Sequence, residues 1–261
     1  MSIEPIEKLV NLIVESKKTV ALTGAGISTE PPSNIPDFRS PGGLWEKFDP
    51  NQYATWESFL TNPERFWELA LEVGGILFDA HPNPAHVALA ELEELGKLEA
   101  IVTQNIDGLH QVAGNSRVYE LHGNFRYITC IKCHDEFMID EGYVNGFINT
   151  EGLTIPRCRK DDCNGIMKSK AVLFNEPIPL TPLANAKYLM ETCELLLVLG
   201  TSLNVYPAAV LPDYALKKHA RIAVINYRDQ TDIERNADVV IRELLGETLP
   251  VVVEKVRARL K

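Results

Sequence analysis

Four of the chain's five cysteines fall in two pairs, Cys130-x2-Cys133 and Cys158-x4-Cys163, with 24 residues between the pairs. Two such knuckles can close a tetrahedral site of four thiolates, the geometry that suits Zn²⁺. Four thiolates leave no position open for water, so a single ion there would be structural. His134 adjoins Cys133, but a fifth ligand is not needed. Cys193 precedes an apolar run and reads as a small core residue. His122 follows Val118–Leu121 and precedes Gly123. At a strand end, a neutral imidazole can act as a general base near pH 7, although a hydrogen-bonded structural histidine looks the same in sequence. His81 and His86 flank Pro82-Asn83-Pro84 and read as capping or covering the helix that follows.

A second kind of chemistry is signalled by Gly24-Ala25-Gly26 after the apolar run Thr19–Thr23. Glycines let backbone approach a phosphate, and a helix N-terminus beyond them favours an anion. The full dinucleotide fingerprint has a third glycine where this chain has Thr29, so a plain tight turn fits equally well. Polar residues also punctuate other strand candidates: Thr103-Gln104-Asn105-Ile106-Asp107, Gly200-Thr201-Ser202 and Asn226. Each alone suits a cap or turn. Together they point into one crevice, because open parallel sheets bind ligands at the carboxyl ends of their strands.

The elements that must position these residues alternate. Apolar strand candidates are Thr19–Thr23, Ala100–Thr103, Val118–Leu121, Leu195–Gly200, Arg221–Asn226 and Asp238–Ile241. Continuous apolar runs are expected of parallel strands covered on both faces. Helical periodicity marks Pro5–Ser16, Asn83–Leu95, Leu183–Thr192, Ala208–His219 and Glu247–Leu260. The alternation predicts an α/β fold with a doubly wound parallel sheet. Two stretches break it. Residues 40–80 carry Trp45, Phe48, Tyr53, Trp56, Phe59, Phe66, Trp67 and Phe78, and read as a helical module with its own apolar core, in preference to an aromatic ligand platform. Residues 126–170 hold the cysteine pairs and read as a zinc module.

The 261 residues carry 45% hydrophobic and 24% charged side chains, ordinary for a globular chain and unlike a disordered one. The net charge of −10 argues against non-specific binding to nucleic acid or anionic membrane. No apolar run approaches the roughly 20 residues of a membrane span, and Glu4, Glu7 and Glu15 interrupt any leader-like start. An odd cysteine count with two close pairs suits metal ligation in a reducing, cytoplasmic setting.

In this order the motifs resemble the sirtuin family of NAD-dependent protein deacylases. The matching runs are Thr23–Ser28, Ile35-Pro-Asp37-Phe38-Arg39, Thr103–Asp107, Leu121-His-Gly123, the four cysteines, Leu199–Ser202 and Val205-Tyr-Pro207. The resemblance implies a Rossmann-like NAD-binding domain (1–39, 81–125 and 171–261) and a smaller domain made of the helical and zinc modules. The cleft between them would take NAD⁺ and an acyl-lysine peptide. Ala25, Gly26, Thr201 and Ser202, with Gly24 and Gly200 beside them, would meet the diphosphate or its riboses. Phe38 and Arg39 would come from a cofactor loop that also carries Asp37. Ile35, Asn105 and Asp107 would line the nicotinamide pocket next to Ile106. Gln104 and His122 would address the nicotinamide ribose, and Asn226 and Asp238 the adenosine end. Phe174, Asn175 and Glu176 would flank the peptide from one side, and Asn204, Val205 and Tyr206 from the other. His122 and Asn105 would be the catalytic residues.

The implied reaction consumes NAD⁺. The acyl oxygen attacks ribose C1′ as nicotinamide leaves, and an alkylimidate forms. His122 is the base that frees a ribose hydroxyl to attack it. The products are nicotinamide, O-acyl-ADP-ribose and free lysine. Family members that remove acidic acyl groups carry a Tyr-x-x-Arg pair where this chain has Ala70 and Val73 after Trp67-Glu68, so acetyl or another neutral acyl group is expected. A mono-ADP-ribosyltransferase and a non-catalytic NAD-binding module are the alternatives on this fold. The resemblance implies acylated proteins as partners and a monomeric chain. The chain also departs from the pattern. Pro31-Pro32 reads as a two-residue insertion that stiffens the cofactor loop, and Asn34 and Asn175 stand where glycine is usual. Lys168-Ser169 lacks the usual proline, for which only a local loop effect is expected.

Overall fold

A computed structural model describes residues 3–37, 43–140, 142–143, 148–149, 152–153, 155–228 and 230–261. Phe38 and Arg39 lie outside the described residues. The described strands are β1 (Thr19–Thr23), β2 (Ala100–Thr103), β3 (Val118–Glu120), β4 (Tyr127–Cys130), β5 (Glu136–Met138), β6 (Ile148–Asn149), β7 (Gly152–Leu153), β8 (Met167–Ser169), β9 (Leu195–Leu199), β10 (Arg221–Ile225) and β11 (Val239–Ile241). The described helices are α1 (Ile3–Glu15), α2 (Leu44–Lys47), α3 (Pro50–Tyr53), α4 (Trp56–Thr61), α5 (Pro63–Asp79), α6 (Pro84–Glu94), α7 (Leu109–Ala113), α8 (Leu180–Thr192), α9 (Leu211–Lys217) and α10 (Leu245–Arg259).

The main sheet is parallel throughout, in the order β11-β10-β9-β1-β2-β3. This is the doubly wound arrangement, with the strand order reversing between β1 and β9. Side chains alternate across each strand. Ala21, Ile101, Leu197, Ala223 and Ile241 therefore join α1, α6 and α10 in one core. Val20, Leu22, Val102, Leu196, Val198 and Val224 join α8 and α9 in another. Every residue of β1, β2 and β9 is buried, which is why these runs read as continuously apolar.

A third core belongs to the inserted modules, and it corrects one expectation. The aromatic stretch does not have a core of its own. Phe48, Phe59, Phe66 and Trp67 share one with Ile128, Met167 and the cysteines. The Trp67 indole N–H donates to the Met167 carbonyl at 3.1 Å, which bridges α5 to β8. β4 pairs antiparallel with both β5 and β8, so Lys168-Ser169 sits in a strand rather than a loop.

Two further expectations change. Gly24–Gly26 leads into a three-residue 3-10 turn, Ala25–Ile27, and not into a helix. The predicted helix Ala208–His219 divides into a 3-10 turn at Ala208–Val210 and the seven-residue α9. No described helix is long and apolar enough to cross a membrane.

Candidate functional site

Strand register brings the polar punctuation together. Thr23 pairs with Thr103 and Leu199, Leu199 with Ile225, and Thr103 with Glu120. The next residues, Gly24, Gln104, Gly200, Asn226 and then Leu121-His122, therefore emerge at one edge. There all but Leu121 border a cavity of about 820 Å³. The closest approach is between two glycine turns: the Gly26 N–H donates to the Gly200 carbonyl at 2.8 Å. Gly200 is held at φ 57, and a Cβ there would lie 2.6 Å from the Ile27 nitrogen, so no larger residue fits. Thr29, at the third-glycine position, donates its hydroxyl to the Gly26 carbonyl at 3.0 Å and also lines the cavity.

Polar side chains around this edge hold one another. Gln104 donates to the Thr201 hydroxyl at 2.8 Å, and Asn226 donates to the Thr201 carbonyl at 2.8 Å. Asn105 donates from its side chain to Ser28 Oγ at 3.1 Å, and its backbone N–H donates to Thr103 Oγ1 at 3.0 Å. Ser28 in turn donates to Asp107 Oδ2 at 2.8 Å, while Asp107 Oδ1 accepts the Leu109 N–H at 2.9 Å. Burial pushes the Asp107 carboxyl up, against the pull of these donors. Asp107 is 4% exposed and does not border the cavity, so it acts behind Ser28 and Asn105.

His122 borders the cavity, and its Nδ1 lies 3.0 Å from the Gln104 carbonyl. A carbonyl only accepts, so Nδ1 carries the proton and Nε2 keeps its lone pair. Burial lowers the pKa of this imidazole, and the Gln104 bond partly raises it. The group is therefore a neutral base at pH 7.

The opposite wall is apolar: Leu44, Trp45, Ala54, Phe66, Leu69, Ala70, Val73 and Phe125. Phe174, Asn175, Glu176, Asn204, Val205 and Tyr206 border the same space. Asn175 adopts φ 64, and Asn34 φ 49, the left-handed conformation that glycine takes most easily and asparagine next. Asn175 also donates to the Glu57 carboxylate at 3.2 Å.

Most predicted residues meet here: Gly24, Ala25, Gly26, Asp37, Gln104, Asn105, Ile106, His122, Gly200, Thr201, Ser202 and Asn226. Ile35 packs against the core of the inserted modules instead. Asp238 is a correction. It precedes β11, accepts the Ile222 N–H at 2.9 Å and pairs with Arg221 at 2.7 Å. Those contacts lie at the amino ends of β10 and β11, across the sheet from the cavity.

His86 caps α6, as its place beside Asn83 suggests, but sequence reasoning missed the rest of the buried support. His86 Nδ1 accepts the Asn83 N–H at 3.3 Å, and its Nε2 lies 3.4 Å from Ser28 Oγ. His110 Nε2 lies 3.0 Å from Thr23 Oγ1. Glu30, Leu44, Leu69 and Phe125 were missed too. In sequence they look like a loop acid and ordinary core.

The four cysteine sulfurs lie within 4.8 Å of one another, with Cys130–Cys163 and Cys133–Cys158 each at 3.6 Å. Tetrahedral ligation with Zn–S near 2.3 Å sets sulfurs about 3.8 Å apart, and disulfides would need about 2 Å. The donor set fits Zn²⁺. Cys193 is buried, donates to the Met190 carbonyl and has its thiol pushed up to about 11 by burial, which suits an inert core residue.

Comparison with known proteins gives one consistent result. A family model described as the Sir2 family matches residues 24–207. The chain is 44% identical over 255 residues to an NAD-dependent protein deacylase 2 of Archaeoglobus fulgidus, covering 97% of each chain. It is 41% identical over 257 residues to an NAD-dependent protein deacetylase 1 of Pyrobaculum aerophilum, covering 98% of this chain and 97% of that one. A solved Sir2 homologue in complex with NAD is similar at TM-score 0.88 and 37% identity, over 98% of this chain and 95% of that one. A Sir2 with a deacetylated p53 peptide and 3′-O-acetyl ADP ribose is similar at TM-score 0.86 and 38% identity, over 96% and 98%.

Proposed function

The chain belongs to the Sir2 family, and on that premise we infer that it is an NAD-dependent protein-lysine deacylase. One observation carries the reading at the level of chemistry. His122, kept neutral by burial and held in its Nδ1–H tautomer by the Gln104 carbonyl, borders the same cavity as the Gly24–Gly26 turn and the Phe174–Glu176 segment.

NAD⁺, when bound, would supply a ribose carbon whose bond to nicotinamide yields to the acyl oxygen of the lysine, and with one water consumed in releasing the amine the products are O-acyl-ADP-ribose, nicotinamide and free lysine. The residues of the chain have separable tasks. Gly24 and Gly26 give their N–H groups to the Leu199 and Gly200 carbonyls, so the Ala25 N–H, with Thr201 and Ser202, would hold the diphosphate. Asn105, braced by Ser28 and Asp107, would orient the nicotinamide amide. His122 would take a proton from a ribose hydroxyl at Nε2. Leu44, Phe66 and Leu69 would exclude water from the reacting groups. Asn226 would serve the adenosine end.

Ala70 and Val73 line the acyl side with no cation near them in sequence, which supports a neutral acyl group such as acetyl. The peptide would lie between Phe174–Glu176 and Asn204–Tyr206. We extend the reading to a division into an NAD-binding domain (1–39, 81–125, 171–261) and a smaller domain (40–80, 126–170), supported by the separate cores. A cytoplasmic, monomeric protein that acts on acylated proteins and not on nucleic acid completes it, supported by the free thiols and the acidic charge.

The test is nicotinamide release from NAD⁺ with and without an acetyl-lysine peptide, with deacetylated peptide read in parallel. Release that depends on peptide is expected. Transfer of adenine-labelled ADP-ribose to protein without peptide deacetylation would replace this reading with a transferase.

A further inference from the structure

We propose that Lys168 is a positioning residue for the acyl-peptide: its buried ammonium gathers the turn that faces the substrate and ties it to the backbone of His122. The proposal rests on the deacylase reading above.

Lys168 lies in β8 with its side chain 3% exposed. A buried ammonium must place three protons, and three oxygens receive them. These are the carbonyls of Ser169 at 2.8 Å and Ala171 at 2.7 Å, and Glu176 Oε2 at 3.1 Å. The same carboxylate oxygen accepts the Leu173 N–H at 2.8 Å. Residues 169–176 thus wrap around one charge pair that grips them near both ends. Between the grips lie Val172, Leu173, Phe174 and Asn175, all of which border the cavity.

The turn is tied outward as well. The Val172 N–H donates to the His122 carbonyl at 2.8 Å. The Phe174 N–H donates to the Ala54 carbonyl, and its own carbonyl accepts the Trp56 N–H, both at 2.9 Å. Gly123 has φ 73, and a Cβ there would lie 2.0 Å from the Lys170 carbonyl, so the His122-Gly123 bend sits directly on this turn. Buried ion pairs are poor general stabilisers, because desolvation offsets their attraction. What the pair supplies here is one conformation of the turn, at the point where it meets both the base and the helical wall.

The experiment compares wild type with Lys168→Met, Lys168→Arg and Glu176→Gln. It reads peptide KM and kcat, the NAD⁺ dissociation constant by calorimetry, and zinc content. K168M is expected to raise peptide KM tenfold or more, with a smaller change in kcat and NAD⁺ binding within twofold. K168R, which keeps a charge and several donors, is expected to recover most of the loss. If K168M does not fold, E176Q decides: it leaves the ammonium its two carbonyls and is expected to raise peptide KM at least threefold. A folded K168M or E176Q with peptide KM within twofold of wild type overturns the proposal. So does an equal loss of peptide and NAD⁺ affinity, which would mark a general structural role. A wild-type chain that leaves acetyl-lysine peptide untouched strikes the deacylase reading itself, and this proposal with it.

Discussion

His122 gives its Nδ1 proton to the Gln104 carbonyl, so the cavity is offered a bare Nε2. Burial holds the pKa of this imidazole below the ordinary histidine value, against the Gln104 bond. The free enzyme's kcat/KM for acetyl-peptide should therefore rise with pH and reach half its plateau below pH 6.5. A half-maximum above pH 7 would contradict the assignment. Replacing His122 with alanine removes a general base, an effect of about 10²–10⁴-fold on deacetylation. Nicotinamide release should persist, because the base acts after that bond breaks. At the acyl end, Val73 borders the cavity among apolar neighbours. Val73→Arg should lower kcat/KM for acetyl-peptide and raise it for succinyl-peptide by tenfold or more, read by competition between the two peptides.

Individual residues act through elements that are themselves held at a few points. Leu244 has no side chain to cap α10, and Glu30 does so from across the chain. Its Oε1 accepts the Leu245 N–H and its Oε2 the Gly246 N–H, both at 2.8 Å. A carboxylate there also complements the positive end of the helix. Glu30 lies just beyond the glycine turn and borders the cavity, so one contact fixes both the helix and the start of the cofactor loop. Glu30→Ala should cost about 1–2 kcal/mol, lower Tm by a few degrees, and raise the KM for NAD⁺ severalfold. Calorimetry and steady-state kinetics check both. The zinc module behaves likewise. Cys130, Cys158 and Cys163 pack in the same core as Trp67 and Phe59. Removal of one zinc per chain by a strong chelator should therefore disorder the β4–β5–β8 sheet, shift tryptophan fluorescence and abolish peptide turnover. Chelation without a fluorescence change would separate the metal from that core.

Across the whole molecule, three buried imidazoles set the response to acid. Burial lowers the pKa of His122, lowers that of His86 to about 4 and holds that of His110 well below the ordinary histidine value. Each binds more protons when unfolded once the pH drops below 6.5, so stability is present above 6.5 and is lost as pH falls toward the folded values. For His86 alone the loss approaches roughly 3 kcal/mol by pH 4. Asp107 and Glu120, whose carboxyls burial raises, act with the opposite sign and offset part of it. Tm should be flat between pH 7 and 8 and fall from pH 6.5 to 4. A rise on acidification from 6.5 to 5 would contradict the sign.

What the sequence determined by itself were features written in local spacing. The cysteine pairs, the apolar runs of β1, β2, β9 and β10, the base candidate His122 and the polar strand ends were all legible, because each depends on neighbours a few residues apart. Asparagine in place of glycine at positions 34 and 175 even announced left-handed backbone. Only the tertiary structure decided the rest. Asp238 stands at the amino end of β11, and because β10 runs parallel beside it, its carboxylate takes Ile222 and Arg221 at the start of that strand, away from the cavity. The aromatic stretch serves two purposes, Trp67 and Phe59 filling a core shared with the zinc module while Trp45 and Phe66 form a cavity wall. His86, His110, Glu30 and Lys168 look like ordinary polar residues in sequence. Their partners lie between 58 and 216 positions away for the first three, and for Lys168 the partner is a turn whose shape the ion pair itself sets. Burial and long-range partners gave those groups their chemistry, and neither is encoded in local pattern.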